Sequence, residues 1–149
     1  MKKIIIFLIL SFSINSFAGT LNSPSLSQTK TEGVEVVEKV MDNLMAYLSL
    51  ETSDRYNRDK YKTAIIGQFS EKYFRDAGID KYMLKINYYM PEGYRIVSID
   101  PGFINVKLYS NTYGWKKYIS IKLVNENGCL LIRPSKIYKN YIYWWTDTK

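Results

Sequence analysis

The sequence predicts an α+β domain in which two or three N-terminal helices pack on one face of a curved antiparallel β-meander. In the first half of the chain, apolar residues recur at every third or fourth position, the period of an amphipathic helix. From about Tyr94 onwards they alternate with polar residues, the period of a strand that buries one face. Asn127-Gly128, between two such runs, is typical of a two-residue hairpin turn. Helices that precede strands in this way favour separate helical and sheet layers.

The first eighteen residues have the three parts of a secretory signal peptide. Met1-Lys2-Lys3 is a basic start, and an apolar run extends from Ile4 to Ile14. Ser16-Phe17-Ala18 then places small residues on both sides of Phe17, ahead of a cleavage point before Gly19. The apolar run is about half of the ~20 residues that span a bilayer, so cleavage is favoured over retention as an anchor. We therefore expect a periplasmic or secreted protein, cleaved after Ala18, with no transmembrane span after cleavage.

Composition excludes several classes of catalysis. The chain has no histidine, which removes Ser-His-Asp and Cys-His nucleophilic catalysis and most zinc sites. Cys129 is the only cysteine, so no disulfide can form within the chain, and its apolar neighbours indicate a buried structural thiol. The formal net charge of +7 suits anionic lipid headgroups, anionic glycans or an acidic protein, or it serves solubility alone. Export argues against nucleic acid, and we expect no metal and no cofactor.

The leader and the first helix follow the signal peptide. Residues 19–32 are rich in Ser, Thr and Asn and are expected to form a flexible leader to a single α+β domain over residues 33–149. Apolar residues from Val34 to Leu48 recur at spacings of three and four, with acidic residues on the other side. This pattern predicts an amphipathic helix over residues 33–50.

Two more helices are predicted before the sheet. After a polar loop over residues 51–60, an aromatic stripe from Tyr61 to Phe74 predicts the second helix, and Gly78 is its stop. Asp80 is placed to cap a third, short helix, which the later Pro-Glu-Gly sequence ends.

The register of the meander is set by two turns, one over residues 111–114 and one at Asn127-Gly128. The two turns independently place eight apolar residues on one face of the sheet. These residues are Ile104, Val106, Leu108, Ile119, Ile121, Leu123, Leu130 and Ile132. A slip of one residue would scatter them over both faces, so we expect one buried face covered by the helices.

The opposite face of the first hairpin alternates lysines with aromatic residues. Phe103, Asn105, Lys107 and Tyr109 are predicted to lie opposite Lys122, Ser120, Tyr118 and Lys116, respectively. This is either an ordinary solvated face with weak cross-strand pairs, or a binding or homodimer surface, because aromatic residues dominate contact energies. The candidate binding residues on it are Lys107, Tyr109, Lys116 and Tyr118.

The C-terminal stretch from Tyr138 to Trp145 is unusually aromatic. It predicts a last strand packed on the core, a platform on which sugars stack, or an interfacial belt at a lipid headgroup layer. Aromatic rings bury large areas, which favours packing on the core, and for the other two interpretations Trp144 and Trp145 are candidate binding residues.

Short segments of the chain carry a resemblance to a known superfamily. They are Phe69–Phe74, Asn105–Leu108, Gly114-Trp115 and Lys122–Gly128. In these segments, and in the order of helices and sheet over roughly residues 34–137, the chain resembles exported bacterial members of the nuclear-transport-factor-2-like, or cystatin-like, α+β cone. Leu130 departs from the tryptophan that such hairpins usually carry. The resemblance implies a pocket between helices and sheet, in which enzymatic members use Asp, Tyr or His.

These observations predict a non-enzymatic exported domain that holds a protein partner or a small apolar ligand in the cell envelope. The second hypothesis is an immunity or inhibitor protein against a toxin that acts in the periplasm, because the chain is small and has no recognisable catalytic set. The third is a pocket enzyme of isomerase or dehydratase type that uses Asp100 with a tyrosine. Asp100 beside Pro101 also suits a plain turn, which is the favoured interpretation.

Overall fold

The computed structural model of the chain describes residues 26–148, with side chains from residue 31 onwards. The predicted signal peptide over residues 1–18 and the first part of the predicted leader lie outside the described residues. The helices come first: α1 (Leu26–Ser49), α2 (Arg55–Ile66), α3 (Glu71–Ala77) and a 3₁₀ turn (Lys81–Met83). The strands follow: β1 (Lys85–Ile86), β2 (Gly93–Asp100), β3 (Phe103–Ser110), β4 (Trp115–Glu126), β5 (Cys129–Ile132), β6 (Lys136–Tyr138), β7 (Tyr141–Tyr143) and β8 (Thr146–Thr148). The predicted α+β class is confirmed.

The main sheet is an antiparallel meander in the order β2-β3-β4-β5, and β8 pairs with β4 as well. The predicted register is confirmed. Ile104 pairs with Ile121 and Val106 with Ile119 in the first hairpin, and Leu123 pairs with Ile132 in the second. A second, smaller sheet has the order β1-β7-β6, in which β1 and β7 run parallel. The long strand β4 therefore serves as the common partner of β3, β5 and β8.

The core lies between α1 and the inner face of the main sheet. Seven of the eight residues predicted for this face are buried, and Leu130 is half-buried. Four residues of α1 with no exposed surface face them: Val37, Val40, Met41 and Leu44. The hydroxyl of Tyr94 on β2 donates a hydrogen bond to Asp42 Oδ1 at 2.7 Å. Apolar packing and this polar link together fix α1 across the sheet.

The first helix begins at Leu26, seven residues before the predicted start at residue 33, so it takes in part of the predicted leader. Gly33 is thus inside the helix, where glycine costs roughly 1 kcal/mol relative to alanine. A Cβ atom at Gly33 would lie 3.0 Å from Leu123 Cδ1 and 3.4 Å from Ile104 Cδ1. The close packing of α1 on the sheet therefore explains why position 33 is a glycine. From the sequence alone, this glycine indicates a helix boundary.

The predicted second helix is in fact two helices, α2 and α3, and the predicted loop over 51–60 is shorter than expected. The loop ends early because the Asp54 side chain accepts a hydrogen bond from Asn57 N at 3.3 Å and caps α2. The break between the helices is a turn at Gly67-Gln68 followed by a single β-bridge from Phe69 to Ile132 of β5, where Ile132 N donates to Gln68 O at 2.8 Å. The helical spacing of apolar residues in the sequence does not reveal a pairing with a strand that is distant along the chain.

The stop and cap signals after α3 were predicted correctly. Gly78 ends α3 with a φ of +65°, a conformation that glycine adopts without strain. Asp80 accepts a hydrogen bond from Tyr82 N at 2.9 Å, but it caps a single 3₁₀ turn rather than a third α-helix.

Cys129 is exposed, so the prediction of a buried thiol was wrong. Because successive side chains of a strand point to opposite faces, the inward positions of β5 are Leu130 and Ile132, and Cys129 points outward. Within residues 26–148, no helix is both long enough and apolar enough to cross a membrane.

Candidate functional site

An open cavity of about 310 Å³ lies where α1 meets the end of the main sheet, beside the β2–β3 turn and the β4–β5 hairpin. Its walls are mostly apolar and include Ile99, Pro101, Phe103, Ile104, Leu123 and Leu130. Two polar residues, Asp100 and Asn125, also line it. This composition, mostly apolar with few polar groups, is typical of small-molecule sites.

The apolar walls remain open to solvent in part. Ile99 is 37% exposed, although it pairs with the inward-facing Ile104 of the main sheet. Gly33 contributes backbone alone at the α1 side of the cavity, so no side chain from that position fills it. Exposed apolar surface is unfavourable in water, and a ligand that covers these side chains gains from their burial.

Asp100 lies at the cavity, but its carboxylate is engaged locally. Its Oδ2 accepts a hydrogen bond from Asn105 Nδ2 at 2.5 Å and one from Ser98 Oγ at 3.3 Å. No tyrosine is among the described residues that line this cavity. The structure therefore does not bring together the aspartate and tyrosine that the pocket-enzyme hypothesis requires, and Asp100 precedes a turn at Pro101-Gly102, where Gly102 has a φ of +76°.

The candidate residues on the outer face of the main sheet do lie together. Lys107 pairs with Tyr118, and Tyr109 pairs with Lys116. The sequence analysis missed Arg95, which β2 places opposite Lys107. It was missed because the pairing of β2 with β3 shifts by one residue between Ile96 and Ser98. Counting residues outward from the β2–β3 turn therefore gives the wrong partners beyond the shift.

These side chains border a groove of about 670 Å³ that crosses the outer face, which we call the basic groove. It is lined by Arg95, Lys107, Tyr109, Ser110, Asn111, Gly114, Trp115 and Lys116. Tyr118, 37% exposed, lies beside the groove and does not line it. The Tyr109 ring covers Gly93, because a Cβ atom at Gly93 would lie 2.5 Å from its Cζ atom.

Trp144 and Trp145 are core residues, so their selection as exposed binding residues was wrong. Trp144 has no exposed surface, and its Nε1 donates a hydrogen bond to Asn87 O at 2.9 Å. Its ring meets the Phe69 ring edge-on at 6.0 Å, while Trp145 stacks against Tyr89 at 5.7 Å. The physical reason is the large apolar area of the two rings, which the short C-terminal strands carry into the interior.

A polar cluster closes the far end of the inner sheet face, which the sequence analysis did not foresee. Lys117, on the inward register opposite Leu108, forms an ion pair with Asp147 at 2.8 Å and a hydrogen bond with Tyr89. Burial disfavours the charge on Lys117, but the hydrogen bonds to Asp147 and Tyr89 outweigh it and raise the pKa of the ammonium group. This cluster is a structural tie between β4 and β8.

No group of three or more His, Cys, Asp or Glu residues in the described part of the chain is arranged to hold a metal ion. The chain matches no family model, no curated protein and no solved structure.

Proposed function

We propose that the protein is an exported binding domain that holds a small apolar ligand in the cavity between α1 and the main sheet. The observation that carries the proposal is the open apolar cavity itself, with Ile99 left partly exposed on its wall. Its volume lies within the range of natural ligand pockets.

Export and the absence of histidine support a holding role over a catalytic one. The N-terminal pattern of Met1 to Ala18 resembles a signal peptide, which supports a role in the periplasm or outside the cell. The resemblance to the α+β cone superfamily supports the same site, because domains of that superfamily enclose a pocket between helices and sheet.

The affinity that such a cavity can supply follows from area. Burial of apolar surface contributes roughly 25 cal/mol per Å², so each 100 Å² buried by ligand and cavity together contributes about 2.5 kcal/mol before the cost of association. A flexible ligand loses more freedom on binding than a rigid one. The site therefore favours a compact, rigid apolar molecule.

The test is to fill the cavity with a larger side chain and measure the binding of N-phenylnaphthylamine, an uncharged apolar fluorophore. Ile99→Trp places an indole at the cavity wall. Val97→Trp is the matched control, since Val97 is on the same strand, is 52% exposed and does not line the cavity. We expect the control to bind the fluorophore like the wild type and Ile99→Trp to bind it about tenfold more weakly or not at all.

Thermal unfolding of both variants establishes that each is folded. Equal binding by wild type, Val97→Trp and Ile99→Trp would show that the fluorophore does not use this cavity, and the proposal would be wrong. Mass spectrometry of the purified protein under native conditions then identifies what the cavity carries from the cell.

The other hypotheses remain predictions. A toxin-neutralising partner would use the protein surface and would leave the fluorophore experiment unaffected. The pocket enzyme is favoured only by the position of Asp100 on the cavity wall.

A further inference from the structure

Three cations of the basic groove have no carboxylate partner among the described residues. Arg95 lies directly opposite Lys107 across β2 and β3. Lys116 is diagonal to Lys107 across β3 and β4, a placement that separates side chains by about 7–8 Å. The ion pairs within residues 31–148 are Lys81 with Glu71 and Lys117 with Asp147. Like charges side by side on a sheet are destabilising, so an unbalanced set of this kind suits an anionic ligand.

The adjoining carboxylate, Glu92, forms no ion pair with this set in the described part of the chain. Glu92 accepts hydrogen bonds from Ser110 Oγ at 2.7 Å and from the backbone N–H of Asn111 at 2.8 Å. These hydrogen bonds orient the Glu92 carboxylate towards the loop that forms one wall of the groove. The positive potential of Arg95, Lys107 and Lys116 is left to act on a ligand from solvent.

The shape of the groove narrows the class of ligand. The groove is a shallow concavity of about 670 Å³, with loop residues Asn111 and Gly114 on its wall. An extended peptide gains its main-chain hydrogen bonds at a free sheet edge, but the floor of the groove is β3, which is paired on both sides. An elongated molecule that carries its own negative charges fits better.

Tyr109 adds a feature that favours a sugar. Its ring lies over Gly93, where no side chain competes for the space, so the ring stays on the floor of the groove between strands that carry Arg95 and Lys116. An aromatic ring with a hydroxyl offers a sugar both an apolar face and a hydrogen-bond partner. Lysine and arginine bind carboxylate, sulfate and phosphate groups through charge-assisted hydrogen bonds.

We propose that the basic groove binds an anionic glycan, a saccharide chain bearing carboxylate, sulfate or phosphate groups. This site is separate from the apolar cavity, which lies at the opposite end of the β2–β3 hairpin. The proposal goes beyond ligand holding: it gives the domain a surface by which an acidic polysaccharide of the envelope or exterior is recognised. Its failure would leave the proposed function of the cavity untouched.

The experiment compares binding of dextran sulfate with binding of uncharged dextran of equal length, by isothermal titration at 0.15 M salt. The double variant Lys107→Gln/Lys116→Gln removes two groove cations. The control, Lys39→Gln/Lys60→Gln, removes the same charge from exposed positions on α1 and α2, away from the groove. We expect wild type and control to bind dextran sulfate within about twofold of each other, the groove variant about tenfold more weakly, and none to bind dextran.

Three outcomes would overturn the proposal. Equal weakening by the two double variants would mean that net charge alone attracts the polymer. Equal binding of dextran would mean that the negative charges are not recognised. Tighter, groove-dependent binding of a single-stranded DNA oligonucleotide, or of phosphatidylcholine vesicles containing phosphatidylglycerol, would assign the groove to a different anion. Retention of N-phenylnaphthylamine binding by the groove variant shows that the variant is folded and that the two sites are independent.

Discussion

Glu92 shows how one carboxylate orders an entire loop. Besides Ser110 and Asn111, the backbone N–H of Thr112 donates to it at 3.2 Å, and Ser110 Oγ in turn accepts from Tyr113 N at 3.1 Å. Hydrogen bonds from Thr112 and Ser110 lower the pKa of Glu92 to about 2, from an ordinary value of 4.5. The ionised side chain thus holds the β3–β4 loop and, with it, one wall of the basic groove.

The depressed pKa of Glu92 predicts a pH dependence of stability. Because the folded pKa lies below the unfolded one, the contribution is complete above pH 4.5 and is lost as the pH falls towards 2. We expect Glu92→Gln to lower the free energy of unfolding at pH 7, and the difference from wild type to shrink between pH 4.5 and 2. Urea unfolding over that range measures it. Glu35→Gln, at an exposed position of α1, is the control, and a difference that is constant with pH would contradict the prediction.

Among the secondary-structure elements, the strands of the hairpins β3–β4 and β4–β5 were predictable, whereas the start of α1 and the break between α2 and α3 were not. The pairing of Ile104 with Ile121 follows from period-two alternation and two turns, all of which are local in sequence. Gly33 inside α1 packs against Leu123, and the break before Ser70 forms by pairing with Ile132; both partners lie more than fifty residues away. Propensity yields to such tertiary contacts, so sequence periodicity alone placed these boundaries wrongly.

The candidate site residues were likewise predicted correctly where local sequence fixes their position, and wrongly where tertiary packing does. Lys107, Tyr109, Lys116 and Tyr118 were found because alternation along a strand also fixes its outer face. Trp144 and Trp145 were misplaced because an aromatic run has the same appearance in a core and on a surface. The apolar cavity was expected only from the resemblance, since it needs α1, the β2–β3 turn and the β4–β5 hairpin to meet.

Helix α3 is tied to the β4–β5 hairpin by one serine. Ser70 Oγ donates to Glu126 Oε2 at 2.6 Å and accepts from Tyr73 N at 3.1 Å, so it caps the helix and anchors it at once. The hydrogen bond from Ser70 is the main cause that lowers the pKa of Glu126, and the backbone N–H of Lys72 adds to it.

Replacement of Ser70 should therefore change two quantities, the free energy of unfolding and the pKa of Glu126. We expect Ser70→Ala to lower the free energy of unfolding by about 1–2 kcal/mol, the usual effect of removing an N-cap, and to raise the pKa of Glu126 towards its ordinary value. Urea unfolding and a carboxyl NMR titration measure the two effects. Ser53→Ala is the control, because Ser53 Oγ makes only an exposed hydrogen bond to Glu51 at 3.3 Å. A destabilisation without a change at Glu126 would rule out the anchoring role.

On the scale of the whole molecule, the C-terminal segment joins the two sheets. Strand β7 belongs to the small sheet, while β8 pairs with the middle of β4 in the main sheet. Trp144 and Trp145 lie between these strands in the chain and fill the space next to Phe69 and Tyr89. Trp144 and Trp145 are thus part of the core, and both proposed sites depend on the main sheet to which β8 is paired.

Replacement of Trp144 tests whether this segment supports the whole fold. We expect Trp144→Ala to lower the free energy of unfolding by about 3–5 kcal/mol, the usual effect of deleting a buried aromatic ring, a large part of the 5–15 kcal/mol of a typical domain. Tyr138→Ala, at a neighbouring aromatic that is 57% exposed, should change it by about 0.5 kcal/mol or less. If the aromatic stretch were instead an exposed platform for sugars or lipids, both variants would unfold like the wild type in urea. A large loss of stability for Trp144→Ala and a small one for Tyr138→Ala would support a core role, because Trp144 is buried and Tyr138 is exposed.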